Sequence, residues 1–159
     1  MSLLHYFEAL EASPIGVFVK DKAATFAIIE AVHLMALALL GAAVLSADLR
    51  LLNLVMRDVP SNTVTDQAHR WFKLALIVLL ITGFFMLAGV ATKCYHNPFY
   101  WAKMITLGIG IVFVFAIRAP LLRKDHTQLN PMTLKLMALA SMVIWFVVAS
   151  SGRWIGFSG

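Results

Sequence analysis

Glu30 and His33 stand in the stretch "EAVHLMALALLGAAVLSADLR", residues 30–50, which is otherwise apolar enough to cross a bilayer. A carboxylate and an imidazole about one helical turn apart can bind a metal, exchange a proton, or orient one another. An ionisable side chain inside a membrane costs about 2.5–3.5 kcal/mol on insertion scales, so it is retained where it faces a partner or a cavity. His33 lies about ten residues, roughly 15 Å, along its helix, too deep for snorkelling to explain. Asn97, Lys103 and Arg153 should fall in the same half of the molecule, with Lys93 nearby. One polar cluster of Glu30, His33, Asn97, Lys103 and Arg153 is therefore the candidate site, with His33 as the metal or cofactor ligand.

The elements that must position this cluster follow from composition. Of the 159 residues 61% are hydrophobic, with mean hydropathy +0.85, well above a soluble domain. Four apolar segments, about 23–47, 71–92, 100–117 and 132–151, have the 17 to 25 residues a membrane helix needs, on the order of 30 Å. Asn97-Pro98 and Asn130-Pro131 place a capping residue before a proline at the first helical position, and Asp66 is expected to cap the second helix. The sequence predicts an all-α integral membrane protein: an antiparallel four-helix bundle forming a single domain over 1–159. Leu3, Leu4, Phe7 and Leu10 beside Glu8 and Glu11 predict a short N-terminal interfacial helix over 2–12, ending at Ser13-Pro14. This N-terminus lacks the basic region and long apolar core of a signal peptide, so it is expected in the mature protein.

The formal charge of +5 is spread over short loops, which fits membrane topology and argues against nucleic acid. Arg50, Arg57, Arg70, Lys73, Arg118, Arg123, Lys124 and Lys135 flank the first and third loops; Lys20, Lys22, Lys93, Lys103 and Arg153 flank the other side. The excess places both termini outside, periplasmic in a bacterial inner membrane. Periodicity aligns Glu30, Leu37, Gly41 and Asp48 on the first helix, Thr82, Met86, Gly89 and Lys93 on the second, Lys103, Thr106 and Gly110 on the third, and Met142, Trp145, Ala149 and Arg153 on the fourth. Cys94 is the sole cysteine, so no intramolecular disulfide forms.

Two histidines at equal depth would clamp a haem, but His69 enters its helix about 20 Å below His33 and His126 is further away. His5 belongs to the N-terminal segment, and His96 reaches His33 only if its loop dips inward. What survives is one site on His33. It suits a b-type haem with Lys103 and Arg153 pairing the propionates, copper held with thioethers among Met35, Met86, Met104 and Met142, or a quinone exchanging protons with Glu30 and His33. The two cations favour haem b. The competing reading is a scaffold or subunit without cofactor, whose buried polar groups only fix helix register, or a small-solute transporter; the partners expected are lipid, and quinone or another membrane subunit.

The succession "SPIGVFVKD", "EAVHLMALALLGAAVLSADLRLLNL", "HNPFYWAKM" and "SGRWIGF" resembles an uncharacterised family of four-helix bacterial inner-membrane proteins. These pair a histidine on the first helix with an Asp-Leu-Arg turn, an Asn-Pro-x-Phe-x-x-Lys start to the third helix and a Gly-Arg-x-Ile ending. The resemblance implies the architecture and singles out Glu30, His33, Asp48, Arg50, Asn97, Lys103 and Arg153. Members often carry a histidine near the end of the third helix where this chain reads "VFAIRAP"; Arg118 offers no lone pair to a metal in its place. More distantly, the histidine and lysine pattern is similar to the membrane protoporphyrinogen oxidase and copper-resistance D families. Asp48 and Arg50 are read together as residues of the inner turn, with Arg50, Arg57 and Arg70 also placed to meet anionic lipid.

Overall fold

The computed structural model describes residues 3–123 and 130–158. His126 and Lys124 lie outside the described residues, as does the Arg123 side chain. Among those described, the chain is helical throughout, without strands: α1 (Leu3–Glu11), α2 (Pro14–Asp21), α3 (Ala23–Leu51), α4 (Ser61–Gly89), α5 (Ala91–Tyr95), α6 (Pro98–Val112), a π-helical turn (Phe113–Arg118), α7 (Ala119–Arg123) and α8 (Pro131–Phe157). Four helices are long and apolar enough to cross a membrane: Ala23–Leu51, Ser61–Gly89, the continuous run Pro98–Leu122, and Pro131–Phe157. They form an antiparallel bundle in which α3 packs on α4 and α8, and α6 packs on α8 but scarcely on α4. α1 and the end of α8 lie at one end; the 52–60 loop and the start of α8 mark the other.

The bundle is apolar outside as well as inside. Met35, Ile105, Val143 and Phe146 are well exposed on its surface, as suits side chains meeting hydrocarbon. Its core joins Leu40, Val44, Phe72, Leu76, Val114, Trp145 and Val148. Phe72 meets the Trp145 ring edge-on at 5.1 Å between centroids. Gly110 matters here: a Cβ on it would stand 3.1 Å from Ile144 and 3.2 Å from Trp145, so its hydrogen lets α6 close on α8.

Chain punctuation follows local chemistry. Asn97 and Asn130 accept from the Phe99 and Met132 amides at 2.9 and 3.0 Å, with Pro98 and Pro131 in the first turn, as their spacing requires. Ser13 likewise accepts from Gly16 N at 3.2 Å and opens α2, an eight-residue helix beyond the interfacial segment the sequence marks. Asp66 is not a cap: α4 begins at Ser61, and Asp66 is exposed one turn inside it. Hydropathy locates the membrane-embedded part of a helix, and the first ten residues of α4 are polar because they project beyond it.

The small helices brace one end. Val19 of α2 is fully buried against Gly89, where a Cβ would come within 2.9 Å of Val19 Cγ1; one on Gly16 would collide with backbone oxygens of Glu11, Leu10 and Ala88. Glu11 fastens this collar. Its carboxylate accepts from Lys20 Nζ at 2.6 Å, from the Thr92 amide at 2.8 Å and from the Thr92 hydroxyl. The Lys20 and Thr92 hydrogen bonds pull its pKa down to about 2, because they favour the charged form. A lowered folded pKa gives stability that is full above the ordinary carboxylate range and is lost as pH falls through it toward about 2. Amide protection in α1 and α2 is therefore expected to drop as the solution is acidified from 4.5 toward about 2. E11Q should lose roughly 1.5–3 kcal/mol of that protection at neutral pH, nearer the lower figure because Lys20 is exposed, and should show no acid transition. Equal protection in the two proteins at neutral pH would contradict the clasp.

Candidate functional site

His33 finds its mate on the neighbouring helix. Its Nδ1 lies 2.7 Å from Thr82 Oγ1, and the Thr82 hydroxyl also sits 2.7 Å from the Val78 carbonyl one turn back. The two contacts favour one placement of the proton. A hydroxyl has one hydrogen, which goes to the carbonyl that can only accept; its lone pair then receives Nδ1–H. Nε2 keeps its lone pair and has no hydrogen-bond partner among the described residues. Metal-ligating histidines are held this way, with the second ring nitrogen tied to an acceptor that fixes tautomer and ring angle. Gly83 makes room for the ring: a Cβ there would stand 3.4 Å from His33 Cε1.

The other residues marked in the sequence divide. Lys103 reaches inward, its side chain lying across Gly152, where a Cβ would meet Nζ at 3.3 Å. It stands within electrostatic range of His33 and Cys94, and among the described residues no carboxylate pairs with it. Glu30, half-buried a turn from His33, likewise forms no ion pair or hydrogen bond with a described residue. Asn97 is buried but occupied: besides capping α6 it donates to Ser158 Oγ at 2.8 Å, tying the start of the third span to the end of the fourth. Arg153 is exposed, its guanidinium 4.5 Å from the Phe157 ring centroid, on the outer surface of α8. His96 is exposed beside Tyr95, so its loop does not dip toward His33. Met35, one of the expected thioethers, is 67% exposed on the lipid-facing surface. No group of three or more His, Cys, Asp or Glu side chains among the described residues is arranged to hold a metal ion.

The first-helix stripe also shifts. Gly41 faces open space, and the face turned inward runs through Ala36, Leu40, Ala43, Val44, Ala47, Asp48 and Leu51. A helix apolar all round gives no contrast from which to read a face, so a meridian drawn through its polar residues misses by about one position.

A second polar layer lies near the other end, about 15 residues and roughly 22 Å further along α3. Asp48 is 0% exposed and Arg118 is 8% exposed; Arg118 Nη2 is 2.6 Å from Asp48 Oδ1, and Nη1 donates to Ser141 Oγ at 2.9 Å. Three spans meet in this triad. Arg50, two residues away, turns out into the loop instead, donating to the Val59 carbonyl at 2.9 Å and to Asn53 at 3.3 Å. The sequence pairs Asp48 with Arg50 in the turn; the structure separates them, because adjacent positions two apart on a helix face different ways. Arg118 ends the π-helical turn and shares its buried side with Val114, four residues before it. Nothing in the sequence announces that turn, but an arginine flanked by "VFVFAI" and "AP" is a signal that could have been read for a buried partner.

Residues 6–158 match the family described as a family of unknown function, DUF6644. The chain belongs to this family. No curated protein and no solved structure matches the chain. Membership thus fixes kinship over nearly the whole bundle, and the chemistry of a DUF6644 chain has to be argued from its two polar layers.

Removing one member of the buried triad strands the other's charge, which is expected to cost about 3–5 kcal/mol. D48L and R118M singly should each lower stability by that order, while the D48L/R118M pair, which leaves neither charge, should recover most of it. Unfolding in mixed detergent micelles reads all three. Additive losses in the double variant would mean that the two side chains do not act as a pair.

Proposed function

We propose that this is a multi-pass protein of a bacterial inner membrane that binds one b-type haem through His33, with both termini on the periplasmic side. The observation that carries the reading is the preset imidazole: Nδ1–H is committed to Thr82 Oγ1 at 2.7 Å, and Nε2 retains its lone pair. A haem supplies four of its own iron ligands and asks one axial donor of the protein, which is what this layer offers. Copper asks for several soft donors converging on one point, and the lipid-facing position of Met35 weakens that alternative.

Three further features support haem. α6 scarcely touches α4, so the second and third spans are not packed together in the bundle, and a macrocycle would enter along that seam. Lys103 is a cation without a carboxylate partner, suited to a propionate. Glu30, one turn from His33, is placed to exchange protons with the bound group or its surroundings. Arg153, on the outer surface, would meet a propionate only where that group reaches the rim. When bound, a haem would supply one-electron chemistry; the chain's part is to hold the imidazole and to exclude water. Its electron partner is then of the kind found in the same membrane, a quinone or a second subunit, and the basic residues of the two short loops face the cytoplasm.

The test is spectral. Protein expressed with ample haem and purified in mild detergent should show a Soret band at near one haem per chain. H33A should abolish it, and T82V should leave the fold intact but weaken haem retention about 10- to 100-fold, the usual effect of losing a ligand's hydrogen-bond partner. A wild-type protein without a His33-dependent Soret band, whose H33L variant changes only stability, would leave the scaffold reading in its place.

A further inference from the structure

The inner polar layer adjoins a cavity that the haem reading does not use. It has a volume of about 60 Å³ and is enclosed by α3, α4 and the end of the third span, with Ala47, Ala68, Asp66, His69, Arg118 and Leu122 among its walls. A water needs roughly 10–15 Å³ of such space together with polar partners, so the cavity has room for a few waters. Asp66 and His69 supply partners near its mouth, at the loop end of α4; Arg118 supplies them at its depth. Ala47 and Arg118 also flank Asp48, so one guanidinium separates the cavity from a fully buried carboxylate.

That carboxylate is incompletely satisfied. Asp48 Oδ1 meets Arg118 and the Ser141 hydroxyl is within reach of the carboxylate, yet neither oxygen makes an aligned hydrogen bond with a described residue. A buried carboxylate oxygen ordinarily has hydrogen-bond partners, and one that lacks a donor is where a proton adds at least cost. We infer that the cavity is a hydrated proton inlet from the loop side of the bundle toward Asp48, with the Arg118 side chain as the wall the proton must pass. The step is a transfer of a proton from a hydronium in the cavity to Asp48 Oδ2, leaving water and a neutral carboxylic acid. Arg118 keeps its charge and its bond to Ser141 throughout. The groups that bear on the transfer are Arg118 from the third span and Asp66 and His69 from α4, with α8 presenting the Ser141 hydroxyl; on α3 itself Arg50 is turned away to the Val59 carbonyl. The site lies roughly 22 Å from His33 and stands whether or not haem binds there.

Infrared difference spectroscopy of the whole protein in lipid, titrated in H2O and D2O, tests this. Wild type should show a protonated-carboxyl band that appears on acidification, is absent in D48N, and shifts to its deuterated position within the mixing time. A68L, which fills the cavity from α4, should slow that shift about tenfold or more by displacing the water that carries the proton. A43L fills the same space from α3 and serves if A68L does not fold. No Asp48-dependent band at any pH at which the protein stays folded would overturn the inlet. So would an exchange as fast in the filled variants as in wild type.

Discussion

A bilayer interior offers no water to a polar side chain, and every feature of this bundle that departs from plain hydrocarbon packing answers that constraint. An imidazole ten residues into the first span must find its hydrogen bond on another helix at the same height, and Thr82 supplies it. The carboxylate of Asp48 must find a cation, and Arg118, at the end of a π-helical turn, supplies it. The outcome is two polar layers separated by a zone of Leu40, Phe72, Leu76, Trp145 and Val148. Each layer fixes the register of the helices it joins, which dispersion alone would leave free to slide.

The layers differ in what they leave open. In the first, Thr82 takes one ring nitrogen and frees the other, and a lone cation on the third span accompanies it. That is the arrangement from which we propose a haem ligand, with one donor and one counter-charge. In the second, a guanidinium stands between a buried carboxylate and a cavity large enough for water. That is the arrangement from which we infer a proton inlet. The two lie at opposite ends of the apolar core.

Much of the architecture was legible in the sequence, because hydropathy, segment length and Asn-Pro caps are local signals. The existence of four spans, the caps at Asn97 and Asn130, and the depth argument separating His33 from His69 all rest on such signals. Thr82 lies on the second-helix stripe that periodicity aligns with Met86 and Gly89. Facing was less legible: α3 is apolar on every side, so periodicity gave Gly41 where the inward face runs through Ala36, Leu40 and Ala43. Polar helix ends escaped hydropathy, which is why α4 starts at Ser61 and why α2 went unmarked. Asp48 and Arg118 are 70 residues apart, and their pairing is a property of packing that no short window of residues displays. Arg153 looked equivalent to Lys103 by spacing, yet lies on the lipid-facing side of α8.

The claim on which the rest stands is that Thr82 sets the proton of His33 on Nδ1 and leaves Nε2 as a donor. Solid-state 15N spectroscopy of histidine-labelled, cofactor-free protein in lipid reads that tautomer directly, with H33L assigning the signals. The expected result is a protonated Nδ1 and an unprotonated Nε2 in wild type, with the preference lost in T82V. A wild-type ring protonated at Nε2, or one whose tautomer ignores Thr82, would contradict it.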